Sequence, residues 1–551
     1  MSGEVQWNPA DGVGLEPNAL KAVTAVDGHV VVTAGPGAGK TELLAQRADF
    51  LLRTGACAYP RRILAISFKV DAARNLRERV KRRAGAQLAT RFDSFTFHAF
   101  AKRLIDNYRE ALTGEFALDA DYQIEMKTQI ERRQITFDDL VPFGGEVLSS
   151  APFALQALRQ TYSHVFLDEF QDSTRAQYSL VKEAFLSSEA KITAVGDGKQ
   201  RIMAWAGAVE GIMEEAAADF GAEVLELRQN HRSAPRLRRM QNRMIAEMEP
   251  GAEVPVDELQ GDEGTIRRLD YRNDLEEADA LAELISEWID EGVPVAEIVV
   301  LVRQWPDLYA APLMDALAVR DIPALVDSEH QKLVADPAAA LIFNFVRVVV
   351  SSRQPGAYAD LMQVFDLFDE NDEAALRRDR DVKKFLAMAS ATVRAESWDS
   401  ESWPQLIQDF LNLVSAPVLM GLSASYLRGD ELQTAVDDAI HALSEAIAET
   451  GGEKSALARL SGVDAVRILT IHKSKGLEFE KVVMLGTEEE THWGPQREAE
   501  CIFFVGISRA KTELVMTTAR HRPTPVGLAG RGRWDEHRRR HGRFLSFADE
   551  E

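Results

Sequence analysis

The run Ala34-Gly35-Pro36-Gly37-Ala38-Gly39-Lys40-Thr41 has the residue types and spacing that a nucleoside triphosphate needs. Gly35, Gly37 and Gly39 carry no side chain, so the backbone can curl close enough for its N–H groups to surround phosphate oxygens. Lys40 adds a mobile positive charge for the terminal phosphates, and the Thr41 hydroxyl is placed to meet a magnesium ion. Glu42-Leu-Leu-Ala-Gln-Arg47 follows as the start of a helix, whose positive dipole end faces the same phosphates. Further along, Asp168 and Glu169 stand together after Val165-Phe-Leu167. An aspartate there can hold the metal, directly or through water, and a neighbouring glutamate can take a proton from an attacking water. Gln200, in the loop after Lys191-Ile-Thr-Ala-Val-Gly-Asp197, is placed to sense the terminal phosphate.

The elements that must position these groups alternate between strands and helices. Val30 to Thr33, Arg61 to Phe68, Val165 to Leu167 and Lys191 to Asp197 read as buried strands with helical stretches between them. That order predicts an α/β fold with a parallel sheet covered on both faces, whose ligands sit at the carboxyl ends of the strands. The expected organisation is a first α/β domain over residues 1–105 and 161–222, interrupted by a mainly helical insert at 106–160. A second α/β domain is expected over 223–332 and 461–522, interrupted by a helical insert at 333–460. Residues 523–551, rich in Pro, Gly and Arg, read as a tail.

The 551 residues allow about four domains, or two large ones. No window approaches the ~20 uncharged apolar residues that cross a bilayer, and Met1-Ser-Gly-Glu-Val-Gln6 has no basic, apolar leader. Cys57 and Cys501 are the only cysteines, which excludes a disulfide framework and predicts buried thiols in a reducing cytosol. A net charge of -23 argues against a uniformly basic surface but permits a local basic groove for nucleic acid. Basic clusters occur at Arg74 to Arg91 and at His537-Arg-Arg-Arg-His-Gly-Arg543, each expected to be a solvated helix face or tail. Phe95-Thr-Phe-His-Ala-Phe100 sets aromatics beside basic residues, a composition that can stack on bases, although such a stretch taken by itself is more often core.

Read in order, the motif segments resemble those of the UvrD/Rep/PcrA family of superfamily 1 DNA helicases. They are Ala34 to Thr41, Ser67-Phe68, Thr96-Phe-His98, Asp168-Glu-Phe-Gln-Asp172, Gly196-Asp-Gly-Lys-Gln200, Asn230-His-Arg-Ser233, Thr470-Ile-His-Lys-Ser-Lys-Gly-Leu-Glu478 and Val505-Gly-Ile-Ser-Arg-Ala510. The resemblance implies two RecA-like P-loop domains carrying reduced 1B and 2B insertions, with ATP and Mg2+ as cofactors. It implies that Lys40 and Thr41 bind phosphate and magnesium, Asp168 holds the metal, Glu169 activates water and Gln200 reads the γ-phosphate. Arg232 and Arg509 would be arginine fingers, which stabilise charge spreading over the phosphoryl oxygens. Glu42, Arg47, His231, Gly476 and Glu478 would line the nucleotide. Phe68, Thr96, His98, Trp205, Thr470 and His472 would contact single-stranded DNA. This sequence departs from the family where Ala19 replaces an adenine-reading glutamine, where His231 replaces a base-stacking tyrosine, and where Met203 and Ala206 replace an aromatic residue and an arginine.

The function so implied is an ATP-dependent translocase or 3′-to-5′ helicase on single-stranded or tailed DNA, in the bacterial cytosol or nucleoid. The alternatives are a helicase subunit that depends on a nuclease or other partner in an anti-phage complex of the Gabija type, and a nucleotide-sensing DNA-binding ATPase that does not unwind.

Overall fold

The computed structural model describes residues 7–549 except 13, 69, 126–128, 204–206, 327–335, 352–353, 367–371, 396, 415–417, 420–421, 423–425, 427–430, 462–464 and 529–531. The chain divides into two compact units, one of residues 1–270, 470–522 and 535–551, the other of 271–469 and 523–534.

In the first unit, strands β1 (Val30–Ala34), β2 (Arg62–Ser67), β3 (Phe92–Thr96), β4 (Leu118–Glu125), β5 (Arg132–Thr136), β6 (Tyr162–Asp168), β7 (Lys191–Gly196) and β8 (Glu223–Leu227) follow in chain order. Six of them form a sheet in the order β3-β2-β6-β7-β1-β8, parallel in every pair whose register is defined. The β-branched and apolar run of β1 suits this place because both its faces are covered. Alternate residues point to opposite faces. Val31, Leu64, Ile66, Val165 and Leu167 pack under Phe100, Leu104 and Tyr178 on one side. Val30, Val32, Ile63, Ala65 and Phe166 pack under Leu44, Ala48, Leu51 and Leu76 on the other. The register aligns Ser67 with Thr96 on one side and with Asp168 on the other, and Thr33 with Gly196. The carboxyl ends of these strands therefore lie along one edge, which is where the motif residues fall.

Three boundaries differ from the sequence reading. Strand β8 pairs with β1, Val30 opposite Glu223, so it closes the first sheet rather than starting a second domain at 223. Its Leu225 and Leu227 join the β1 core, which fixes that choice. The stretch 106–160 is not only helical: β4 and β5 pair there, followed by helices Leu140–Ser150 and Pro152–Thr161. The end of the chain is not a loose tail. Phe544 stacks on Phe503 and on His541 with ring centroids 4.3 and 3.7 Å apart, and Phe547 is buried. The basic run 537–543 is taken up by carboxylates of this unit, Arg539 with Glu490 at 3.0 Å and Arg543 with Glu500 at 2.7 Å.

Six further strands follow: β9 (Thr265–Tyr271), β13 (Phe479–Met484) and β14 (Ala510–Ala519) fall, but for Tyr271, in the first unit, and β10 (Ile298–Val302), β11 (Ala324–Val326) and β12 (Val466–Thr470) fall, but for Thr470, in the second. The defined pairs among them, β11 with β12 and β13 with β14, are parallel. The second unit holds helices between Pro337 and Ser461 around a core of its own, in which Phe345 and Phe410 stack at 4.1 Å and Trp403 is buried. No helix among the described residues is long and apolar enough to cross a membrane. Cys57 and Cys501 are both free and buried.

Candidate active site

The phosphate loop leaves β1 and ends at Gly39, whose left-handed φ of 75° starts helix Lys40–Arg53. Gly37 (φ +71°) is required twice over, since a Cβ there would lie 2.2 Å from Asn230 Oδ1. The loop is docked on the segment after β8, with His231 N donating to Gly37 O at 3.0 Å. Lys40 Nζ turns back to donate to Ala34 O at 3.1 Å and Gly35 O at 3.4 Å. Both are neutral acceptors, so its charge is left for an anion in the loop.

Asp168 ends β6 and is almost fully buried. Glu169 follows with φ 51° and ψ 40°, a left-handed backbone that costs a glutamate about 1 kcal/mol or more and must be held by its surroundings. Gln171 does part of this. Its Nε2 donates to Glu169 Oε2 at 2.6 Å and its Oε1 accepts from Asp197 N at 3.0 Å. Gly196 leaves room for it, because a Cβ there would come within 2.5 Å of Gln171 Oε1. Burial raises the affinity of both acids for protons, and the charge of Glu169 raises that of Asp168 further. For Glu169, Lys40 and Lys475 outweigh burial and hold it ionised. At Asp168, burial and the Glu169 charge outweigh the same two lysines. Ser67 Oγ, on the strand paired with Asp168, is buried without a protein partner. Among the described residues no group of three or more His, Cys, Asp or Glu is arranged to hold a metal. These residues fit Mg2+, which takes one or two protein oxygens and completes its shell with phosphate and water. Thr41 and Asp168 would hold it.

Gln200 is clamped between charges, with Nε2 donating to Asp197 Oδ2 and Oε1 accepting from Arg509 Nη2, each at 2.8 Å. Arg509 is about 1% exposed. Its other donors go to Val505 O, Leu477 O and Ser508 Oγ at 2.9, 3.2 and 2.8 Å. Burial, with Arg232 nearby, pushes its guanidinium down to about 9. Gly476, at φ +88°, makes the turn that presents Leu477 O to it. Arg232 donates from Nε to Glu478 Oε2 at 2.8 Å and from Nη1 to Ser508 O at 3.1 Å. Burial would raise Glu478, but Arg232 holds it below the usual carboxylate range. Lys40, Glu169, Gln200, Arg232 and Arg509 are thus drawn into one charged neighbourhood of the first unit.

Two residues expected on the nucleotide do other work. Arg47 is fully buried, and Nε donates to Thr193 Oγ1 at 2.9 Å and Nη1 to Ala22 O and to Val23 O. Burial pushes it down to about 10. It ties helix Lys40–Arg53 to β7 and to helix Pro17–Thr24, six positions past Thr41 where the helix has turned away from the loop. Arg47→Ala is expected to cost about 2–4 kcal/mol in a denaturant midpoint, from lost hydrogen bonds and a cavity. Arg47→Met is expected to cost far less, as apolar replacements of buried charges of similar volume do. Glu42 is engaged by Arg83 Nε at 2.9 Å, Arg79 Nη1 at 3.3 Å and Gln46 Nε2 at 2.8 Å, which also accounts for part of the basic run 74–91.

Of the residues expected on DNA, Phe68 and Thr96 lie at the carboxyl ends of the paired strands β2 and β3. The Thr96 hydroxyl caps helix Phe97–Tyr108, accepting from Ala99 N at 3.2 Å. His98 stacks on Phe137 with centroids 4.1 Å apart, and Phe137 keeps 43% of its surface exposed. Thr470 ends β12 and His472 lies in the turn that follows it. Trp205 lies outside the described residues, as does Ala206.

Lys475 is the least expected member. It is ion-paired with Asp172, lies 3.8 Å from Glu169 Oε2 and donates to Gln200 O at 2.8 Å. Nothing in the sequence singles out Lys475 or Gln171 beyond their lying inside the motif segments Thr470–Glu478 and Asp168–Asp172, and nothing singles out Phe137.

Comparison with known proteins places these residues in context. The family description "UvrD/REP helicase N-terminal domain" matches residues 15–135 and 116–221, and "UvrD-like helicase C-terminal domain" matches 419–521. DNA helicase II of Escherichia coli is 23% identical over 92% of this chain and 85% of its own. The ATP-dependent DNA helicase PcrA of Bacillus subtilis is 24% identical over 92% and 83%. The ATP-dependent DNA helicase Rep of Escherichia coli is 23% identical over 92% and 91%.

Proposed function

The chain belongs to the UvrD/REP helicase family, and from that premise we propose that it is an ATP-driven motor moving 3′ to 5′ along single-stranded DNA and opening duplex at a junction. The observation that carries the reading is Arg509: a guanidinium buried among neutral acceptors, bonded to Gln200, in the neighbourhood of Lys40 and Glu169. A cation desolvated in this way is unstable until an anion arrives, and the anion that the phosphate loop accepts is a triphosphate.

ATP seats its phosphates on the backbone N–H groups of Ala34 to Thr41, and Lys40 leaves the Ala34 and Gly35 carbonyls to pair with them. Thr41 and Asp168 would hold Mg2+, which would supply charge neutralisation at the phosphates. Glu169, kept ionised by the two lysines, orients water and takes its proton. Gln200 turns from Arg509 toward the γ-phosphate, and the freed Arg509 and Arg232 stabilise the charge that grows on the phosphoryl oxygens. Loss of phosphate returns both arginines to Gln200 and Glu478. That exchange of partners is what couples hydrolysis to travel on the strand.

DNA is gripped at the strand ends beside this site, by Phe68, Thr96, Thr470 and His472, with Trp205, and by the stacked pair His98–Phe137, whose outer face is open to a base. Phe137→Ala is expected to weaken single-stranded DNA binding by about 1–3 kcal/mol in a fluorescence anisotropy titration. Its affinity for ATP should stay unchanged. ATP hydrolysis with and without single-stranded DNA tests the motor, and a tailed duplex then tests unwinding. Hydrolysis untouched by any nucleic acid would defeat the reading. Hydrolysis restored only by an added protein would favour the partner-dependent form.

A further inference from the structure

Two helices carry the arginines of the site. Helix Pro235–Met248 starts just after Arg232, and helix Gln496–Ile507 ends just before Arg509. They are tied at the arginine-bearing end, where Ser233 Oγ donates to Ala510 O at 2.8 Å and Arg232 Nη1 to Ser508 O at 3.1 Å. At the opposite end Arg497 Nη1 donates to Met248 O at 2.6 Å, so the pair runs antiparallel.

The end of the chain lies across both helices, behind the arginines. Phe544 stacks on Phe503 of the second helix, the rings 15° from parallel. Phe547 O accepts from Arg243 Nε of the first at 2.8 Å. Arg543 Nη2 joins the two, 2.9 Å from Glu247 Oε2 on the first and 2.7 Å from Glu500 Oε1 on the second. His541 seats this segment: its N donates to Thr487 O at 3.1 Å and its Nδ1 accepts from Phe544 N at 3.3 Å. Phe544, Leu545 and Phe547 are buried.

We propose that His541–Phe547 is a positioning clamp for hydrolysis, which holds the two helices at the setting from which Arg232 and Arg509 reach the same phosphate. The proposal rests on both arginines meeting the triphosphate. Phe503 lies about 6 Å along the helix before Ile507. Packed interiors transmit a displacement instead of absorbing it, so a tilt at Phe503 is delivered to Ser508. Ser508 touches both arginines, its O accepting from Arg232 and its Oγ from Arg509 Nη2 at 2.8 Å. A loosened clamp therefore misplaces both cations together, and misplacement of about 1 Å by a change far from the chemistry can cost about 10²-fold in rate. Phe544, Phe547 and Arg543 are positioning residues, since none of them meets the nucleotide.

ATP hydrolysis by the full chain with single-stranded DNA tests this, corrected for the folded fraction by circular dichroism. Phe544→Ala should lower kcat by about tenfold and leave the KM for ATP within about threefold. Arg543→Ala removes only the exposed bridge and keeps the aromatic seat, so it should fold even where Phe544→Ala does not, and lower kcat by about threefold. In a chain already carrying Arg232→Ala and Arg509→Ala, adding Arg543→Ala or Phe544→Ala should cost less than about 1.5-fold, because no cation remains to be positioned. A purely structural role would give the same fractional loss in both backgrounds and overturns the proposal. A kcat unchanged in folded Arg543→Ala, or a loss that appears in KM instead of kcat, overturns it too. Wild type that turns over ATP while the clamp variants match it defeats the clamp and leaves the motor standing, whereas wild type that turns over no ATP with or without DNA defeats both.

Discussion

Glu169→Gln is expected to lower DNA-stimulated ATP hydrolysis by about 10³-fold, within the range that general-base catalysis contributes, while ATP and DNA still bind. The argument starts from how the residue is held. Its left-handed backbone is set by β6 behind it and the turn Phe170–Asp172 ahead of it, neither of which depends on the side-chain charge. The amide oxygen of a glutamine can still accept from Gln171 Nε2, so the position of the group survives. What disappears is the negative charge that Lys40 and Lys475 keep ionised. Phosphate release would collapse, whereas retention of ATP would not, and Lys40 would lose a competing anion, so binding should hold or tighten. A variant that keeps a tenth or more of the wild-type turnover would show that another group takes the proton, and the assignment of Glu169 would fall.

The parts of this site that could be read from the sequence are those where local chemistry alone sets the demand. Gly37 and Gly39 must be glycines because the loop turns left-handed there, and at Gly37 because Asn230 packs against it. Asp168 could be placed because a strand of Val, Phe and Leu has to end where the acidic pair begins. What could not be read is where long side chains go. Arg47 is one turn beyond Glu42 on the same helix, and only the packed sheet decides that it points down to Thr193 instead of along the loop. Strand β8 has the same alternation whichever sheet it joins, and the match of Leu225 and Leu227 to the β1 face is a tertiary fact. The run 537–543 looks like a solvated cationic tail until Phe544 and Phe547 find a hydrophobic seat and bring Glu490 and Glu500 within reach. Lys475 and Gln171 were hidden for the same reason: each is defined by groups far away in the chain, Asp172 and Gln200 for one, Asp197 for the other.

Arg509→Ala is expected to reduce kcat by about 10³-fold or more, the scale on which arginine fingers act in phosphoryl transfer, with a much smaller change in the KM for ATP. The guanidinium is buried and bonded to Val505 O, Leu477 O, Ser508 Oγ and Gln200 Oε1, so truncation also leaves acceptors unpaired and must cost stability. The split between the two effects is measurable. A structural role alone would lower the melting temperature and scale kcat with the folded fraction. A role at the γ-phosphate lowers kcat in the fraction that remains folded and leaves ATP binding nearly intact, because the charge it meets exists only as the terminal bond breaks. Arg509→Lys sharpens the distinction. It keeps a cation in the cavity but cannot hold Gln200 and Ser508 at once, so it should recover stability more than turnover. Arg232→Ala offers the internal comparison, since Arg232 is held by fewer partners, the exposed Glu478 carboxylate and Ser508 O, and its removal disturbs the fold less. If both residues act on the same developing charge, the double variant should lose less than the product of the single losses. Arg509→Ala with a kcat within about threefold of wild type in folded protein would remove the buried cation from the mechanism, and with it the link between hydrolysis and movement built on its exchange of Gln200 for phosphate.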